Sequence, residues 1–187
     1  MKFLYDVVTV GTATRDVLLK SKLFKVVHDP EHLEKLGFPT GDAQCFALGG
    51  KIEVEAPILT TGGGATNAAV TFARQGFSVA ALIKVGTDAP ADEIMKELKR
   101  EKVTPFAIKE RKHGTAYSVI LLAPGGERTI LNYRGASEDL AKKEIPFAKL
   151  NARWIYIVPG RIPFPVIESI VRYGHARRSR IAINPSK

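Results

Sequence analysis

Thr61-Gly62-Gly63-Gly64-Ala65-Thr66-Asn67 runs straight into Ala68-Ala69-Val70-Thr71-Phe72-Ala73-Arg74-Gln75-Gly76. The glycines read as a turn, and the run after them reads as a helix, because Ala65, Ala68, Ala69, Phe72, Ala73 and Gly76 recur at i, i+3, i+4, i+7, i+8 and i+11. That stripe is mostly small, so the helix is expected to lie close against a sheet. Thr66, Asn67, Thr71, Arg74 and Gln75 fall off the stripe, and Gly76 is placed to stop the helix. A first helical turn leaves its N–H groups without intrahelical partners, and glycine lets a ligand approach them with no Cβ in the way. Two readings are open: a site for a ligand bearing oxygen acceptors, or a tight turn whose glycines only permit packing.

Outward from this stretch, the chain alternates. Leu4 to Val10 is a β-branched run ending at Gly11, as a buried parallel strand does. Residues 17–60 lack a long helical period; short apolar pieces are separated by Pro30, by Pro39 to Asp42 and by Gly49-Gly50, which predicts a small antiparallel excursion serving as a flap or lid. Val79 to Val85 reads as a strand ending in Gly86-Thr87-Asp88, and Asp88 with Pro90 marks the start of a helix through Glu101. Val103 to Lys109 is extended. Thr115 to Ala123 and Arg128 to Tyr133 flank Pro124-Gly125-Gly126-Glu127, a hairpin. Residues 137–149 read as partly helical with a break at Pro146, followed by a strand at Trp154 to Val158, a helix at Phe164 to Ala176 and a strand at Arg180 to Ile183.

This pattern predicts an α/β fold, a Rossmann-like α/β/α sandwich with a mostly parallel sheet plus a small antiparallel β lid. The core is expected over 1–16 and 58–187, the lid excursion over 17–57, with the 115–133 hairpin contributing to the lid. Ligands of such sheets sit beyond the carboxyl ends of the strands, here Gly11 to Asp16, Gly86 to Asp88 and Asn184 to Lys187. A doubly wound sheet that halts on a strand reads as the front part of a longer chain, truncated before its C-terminal half.

Composition bounds the alternatives. A chain of 187 residues with 45% hydrophobic and 25% charged residues is ordinary for a globular protein with one sizeable core. The single cysteine, Cys45, forms no internal disulfide, which favours a cytoplasmic setting. No apolar run reaches the roughly 18 to 20 residues of a membrane span. The net charge of +9 raises a nucleic-acid-binding module as an alternative. Between Lys96 and Lys112, however, bases alternate with Glu97, Glu101 and Glu110, which reads as a compensated face; only Arg172, Arg177, Arg178, Arg180 and Lys187 form a one-sidedly basic tail.

The glycine motif departs from a Rossmann dinucleotide fingerprint, since it does not follow the first strand directly and Asn67 stands where the third glycine belongs; a Rossmann dinucleotide-binding protein stays as a minor alternative. Gly49-Gly50-Lys51 lacks the spacing of a P-loop. Donors at Gly62 to Gly64, the Asn67 amide and the Asp16 carboxylate form a mixture of donors and acceptors that suits a polyol, whose hydroxyls both give and take hydrogen bonds. Standing alone, Asp16 equally fits a turn or helix cap.

Residues 5–135 resemble the N-terminal half of the ribokinase-like (pfkB-type) carbohydrate kinases, a family that includes adenosine kinase and fructokinases. The matching pieces are Val8-Thr9-Val10-Gly11 through Asp16, Gly62 to Ala69, Val85-Gly86-Thr87-Asp88, and Gly125 to Ile130 through Arg134-Gly135-Ala136. The resemblance implies transfer of the γ-phosphoryl of ATP to a sugar or nucleoside hydroxyl with Mg2+, with a monovalent cation as a further cofactor of the family. It implies sugar contacts from Asp16, Gly62, Gly63 and Asn67, with Glu127 and Arg134 approaching from the hairpin and the segment after it. The family's catalytic aspartate lies in a Gly-Ala-Gly-Asp motif of the C-terminal half, and that motif is not in this sequence. No catalytic residue is therefore assigned, and the fragment is expected to be inactive alone. A non-catalytic sugar-binding protein is the main alternative, and the exposed edges of a lid suggest a homodimer. His28 and His32 have the spacing of a helical metal pair, but Pro30 between them and the lack of a third ligand argue against it. His113, His175, Cys45 and Trp154 read as structural, Trp154 within the strand core.

Overall fold

The computed structural model of the protein describes residues 3–185. Its strands are β1 (Tyr5–Gly11), β2 (Thr14–Lys20), β3 (Lys25–His28), β4 (Asp42–Cys45), β5 (Ile58–Gly62), β6 (Val79–Val85), β7 (Val103–Lys109), β8 (Ala116–Leu122), β9 (Arg128–Tyr133), β10 (Ala152–Val158) and β11 (Arg180–Ile183). The helices are α1 (Pro30–Lys35), α2 (Gly64–Arg74), α3 (Ala89–Arg100) and α4 (Phe164–Ala176). Two compact units divide the chain. The first comprises the residues up to Arg15, Thr61–Tyr117 and those from Tyr133 onward; the second comprises Asp16–Thr60 and Ser118–Asn132.

In the first unit β1 is central because Val7, Val8, Thr9 and Val10 are all buried, and a strand buried on both faces needs covered parallel neighbours. The sheet order is β11-β10-β1-β6-β7, with every pair parallel. One face packs Val7, Val79, Ala81 and Ile83 against Ala65 and Ala69 of α2 and Ile94 and Leu98 of α3. The other packs Val8, Val10, Leu82, Ile155 and Ile157 against Val166 and Ile170 of α4 and the Leu140–Leu150 segment. Right-handed crossovers explain this split: β1, β6 and β7 advance across the sheet in one direction, and β10 to β11 advance in the other. The structure thus has the α/β architecture with a mostly parallel sheet that the sequence predicts.

The second unit holds the antiparallel pair β3–β4, and most of the four-stranded sheet β5-β2-β8-β9 falls within it. Its excursion contains a helix that the sequence pattern does not announce. Pro30 is at the first turn of α1, where its missing N–H costs nothing, and the Asp29 carboxylate caps the His32 N–H at 3.2 Å. Pro30 therefore starts an element instead of breaking one. Residues 137–149 differ in the opposite sense: three short 3-10 turns, Gly135–Glu138, Lys142–Glu144 and Phe147–Lys149, replace the partly helical segment. Trp154, expected in the core, is 39% exposed. Of the carboxyl-end residues Asn184 to Lys187, Ser186 and Lys187 lie outside the described residues.

Candidate functional site

The start of α2 is built against the chain leaving β1. Gly63 is the N-cap at φ +102°, a conformation L side chains rarely adopt, and a Cβ there would lie 2.5 Å from the Thr12 carbonyl oxygen and 2.7 Å from the Ala13 Cα. A Cβ on Gly64 would overlap the Val158 side chain. Packing therefore requires both glycines. The Gly64 N–H donates to the Thr12 hydroxyl at 3.0 Å, and the Ala65 N–H donates to the Thr12 carbonyl at 3.1 Å. So the Gly64 donor expected to meet a ligand is satisfied from within. Thr66, expected off the buried stripe, is buried because its hydroxyl donates to the Gly62 and Gly63 carbonyls. Gly62 is the buried last residue of β5. Asn67 is exposed on the first turn of α2, and its backbone carbonyl accepts from the Thr71 hydroxyl at 2.8 Å.

Thr12 carries almost no signal in the sequence. Its only mark is its place directly after Gly11, and its role becomes visible only when α2 is seen to start beside it.

The carboxyl ends of β6 and β7 are organised by a half-buried carboxylate and a buried ammonium. Asp88 caps α3, accepting from the Ala91 N–H at 3.2 Å, and its other oxygen takes the Thr115 N–H at 2.8 Å. The Thr115 hydroxyl also donates to Asp88 and accepts the Gly86 N–H at 3.0 Å. Burial alone would raise the Asp88 pKa; the donors from Thr115 and Ala91 outweigh it and hold the carboxyl below its ordinary range. Lys84, 4% exposed, reaches Glu144 at 2.9 Å and Glu110 at 3.3 Å and donates to the Asp139 carbonyl. Burial opposes its charge, but hydrogen bonds to Glu144 and Glu110 raise its pKa above the usual value. Glu110 moves the other way: burial would raise it, while Lys84 and His113 hold it low.

Arg134 follows β9 and opens the Gly135–Glu138 turn, where its Nε lies 3.2 Å from Glu138, which also meets Arg161 at 3.5 Å. Glu110, His113 and Asp139 are the one group of three metal-capable side chains among the described residues. Glu110 is already engaged by Lys84 at 3.3 Å and by His113 at 2.9 Å.

In the second unit Asp16 lies inside β2, half-buried, and not in the turn or cap that its position after Gly11 suggested. Glu127 closes the β8–β9 turn: its carbonyl accepts the Ala123 N–H at 2.9 Å, and Gly126 takes φ +97°. Its side chain lines a trough of about 380 Å³ with Phe24, Val26, Asp42 and Pro124. The histidines of the excursion do not converge on a metal: His28 meets Asp42 at 2.7 Å and His32 meets Asp29 at 2.9 Å. The structure thus gathers Gly62, Gly63 and Asn67 on one segment and places Arg134 in the same unit, while Asp16 and Glu127 belong to the second.

Comparison with known proteins identifies a family. The pfkB family carbohydrate kinase model matches residues 30–164. Ribokinase of Staphylococcus aureus is 28% identical over 129 residues, covering 67% of this chain and 42% of its own. Among solved structures, adenosine kinase from Sinorhizobium meliloti superposes with a TM-score of 0.74 at 21% identity, over 98% of this chain and 57% of that one. Arabidopsis thaliana ribokinase complexed with ribose and ATP gives a TM-score of 0.72 at 17% identity, over 96% of this chain and 53% of that one. The chain spans about half the length of the relatives it matches.

Proposed function

Because the chain belongs to the pfkB family of carbohydrate kinases, we propose that it carries the acceptor half of a sugar kinase, binding a sugar or nucleoside through Gly62, Gly63, Asn67 and Arg134 of the first unit. The observation that carries this reading is the start of α2. With the Gly64 and Ala65 N–H groups given to Thr12, this turn is no phosphate cradle, and Asn67 stands exposed beside it. An amide both donates and accepts, as a sugar hydroxyl does, so Asn67 suits a neutral polyol better than an anion. The ribose and ATP of the Arabidopsis relative are consistent with such a substrate pair.

The residues present do not fit ATP and Mg2+. The glycine-rich turn is occupied by Thr12, the carboxylates of the 110–139 cluster are engaged by Lys84 and His113, and the sequence has no Gly-Ala-Gly-Asp motif. Phosphoryl transfer depends on positioning and charge stabilisation around the moving group together with a base for the hydroxyl. We assign these to residues outside this chain. The edge strand β9, exposed along its whole length, supports pairing of two copies through the antiparallel sheet.

The test is ADP release by the purified 187-residue protein with ATP, Mg2+ and a panel of pentoses, hexoses and nucleosides. The expected rate equals the background without sugar. Sugar-dependent turnover would refute the proposed division of labour.

A further inference from the structure

The amino ends of the parallel strands make a surface of their own, at the end of the sheet away from the glycine turn. All five strands run the same way, and the register sets Tyr5 beside Ala152, Val7 beside Val79, Val79 beside Val103 and Trp154 beside Arg180, so their starts are nearly level. α2, α3 and α4 each end just before the strand that follows them, so their last turns reach this surface too. α2 has 11 residues and starts at the glycine turn, which puts the surface about 16 Å from that turn at about 1.5 Å per residue.

The fold gathers here basic residues that the sequence scatters. Arg74, Arg100 and Arg177 close the three helices, where cations offset the helix dipole. The dipole does not account for Lys149 and Arg153 around the start of β10, or for Arg180 at the start of β11, and all of these side chains are exposed. Asp6 meets Arg153 at 3.6 Å, Glu101 meets Arg74 at 2.8 Å and Glu97 meets Arg100 at 3.7 Å. Lys149, Arg177 and Arg180 have no acidic partner among the described residues. Each lies over an aromatic ring instead: Lys149 is 5.7 Å from the centre of Phe106, Arg177 5.6 Å from Tyr173 and Arg180 5.4 Å from Trp154. A carboxylate would cancel the charge, whereas a ring holds the cation in place and leaves its charge for an anion.

A row of such cations calls for a row of anions. Neighbouring strands lie about 4.8 Å apart, so the five strand starts span about 19 Å, the length of five or six nucleotides at about 3.4 Å each. Phe77 and Trp154, 47% and 39% exposed among these cations, offer ring surface on which nucleobases stack. An anionic membrane favours an amphipathic helix with its apolar side free, and the apolar sides of α2, α3 and α4 are packed on the sheet. We propose that the amino end of the sheet binds single-stranded nucleic acid, with Lys149, Arg177 and Arg180 on the phosphates and Phe77 and Trp154 as the stacking surface. This site is independent of the sugar reading.

The experiment is fluorescence anisotropy of a dye-labelled single strand of about twelve nucleotides, titrated with the 187-residue chain between about 50 and 200 mM salt. The expected result is saturable binding whose logarithm falls with the logarithm of salt concentration at a slope of about −2, or about −0.7 for each phosphate met by the three cations. The double variant Lys149→Glu, Arg177→Glu weakens binding about tenfold or more and flattens the slope by about 1.4. Arg111→Glu with Lys112→Glu makes the same change in net charge on exposed residues just past the carboxyl end of β7. That strand has 7 residues, about 23 Å at about 3.3 Å each, against a screening length of about 10 Å at 0.1 M salt, so the control binds within about twofold of the original. Urea transitions of both variants, followed by Trp154 fluorescence, are expected to match that of the original chain. Absence of binding at about 50 mM salt overturns the proposal. Equal weakening by the two double variants overturns it in favour of attraction by net charge alone, and inorganic polyphosphate of matched length bound as tightly as the strand removes the role of the bases. Binding to phosphatidylserine vesicles that exceeds binding to the strand overturns it in favour of a membrane.

Discussion

Gly63→Ala isolates what the glycine turn contributes, because Gly76 at the other end of α2 supplies a matched control. Both residues have positive φ, +102° and +91°. They differ in surroundings: a Cβ on Gly76 meets nothing within 4 Å, whereas one on Gly63 lies 2.5 Å from the Thr12 oxygen and 2.7 Å from the Ala13 Cα, both backbone atoms. Holding an L residue at such a φ costs about 1–2 kcal/mol, and forcing apart a packed contact costs about 1–3 kcal/mol more. Gly76→Ala should therefore lose about 1–2 kcal/mol and Gly63→Ala about 2–5 kcal/mol. Trp154 is the chain's only tryptophan and belongs to the same unit as both glycines, so its fluorescence in urea reports that unit. With a slope of about 2 kcal/mol/M, the midpoint should fall by about 1–2.5 M for Gly63→Ala and about 0.5–1 M for Gly76→Ala. Equal shifts would refute the reasoning, since they would mean that the approach of Thr12 and Ala13 to the turn costs nothing to disturb.

Other outcomes depend on the same geometry. Thr12→Val keeps the shape but removes the hydroxyl that accepts the Gly64 N–H, and should cost about 1–2 kcal/mol in the same urea assay. Asp88 and Glu110 have pKa values below their ordinary range in the folded state, so the stability they contribute is fully present above about pH 4–5 and is lost as pH falls through their folded values. Asp88→Asn should accordingly be less stable at neutral pH and show a flatter decline in urea midpoint across the acid range. Asn67→Ala, at an exposed position, should leave the melting temperature within about a degree while weakening sugar affinity about tenfold by calorimetry, the loss of about 1.4 kcal/mol expected for a hydrogen bond to ligand.

The parts legible in the sequence are those that local periodicity or local chemistry dictates. The small-residue stripe announces α2 and its contact with the sheet, and Gly76 marks its end. Asp88 with Pro90 announces α3, and the alternating charges of 96–112 form ion pairs, Arg100–Glu97 within the run and Lys96–Glu93 and Arg74–Glu101 with partners outside it. The hidden parts depend on partners distant in the chain. Thr12 matters because α2 begins beside it, some fifty residues later in the sequence. Thr66 is buried by its own hydroxyl turning back on Gly62 and Gly63, which hydrophobic periodicity does not register. Pro30 reads as a breaker in the sequence because its effect depends on whether it stands inside a helix or at its first turn. The pattern around Trp154 gives a strand, and only the structure shows that Trp154 itself stays partly exposed on it. For the candidate site, the sequence locates Asn67 correctly beside the turn but offers the Gly64 donor to a ligand when the fold itself consumes it.

The central claim is that this chain holds a sugar acceptor through the Asn67 segment without the machinery to phosphorylate it. Isothermal titration of the purified chain with ribose, other pentoses, hexoses and adenosine, repeated with Asn67→Ala, tests it most directly. The predicted result is saturable binding of at least one of these polyols in the absence of ATP, weakened about tenfold by the substitution. No binding across the panel, or binding unchanged by Asn67→Ala, would contradict it.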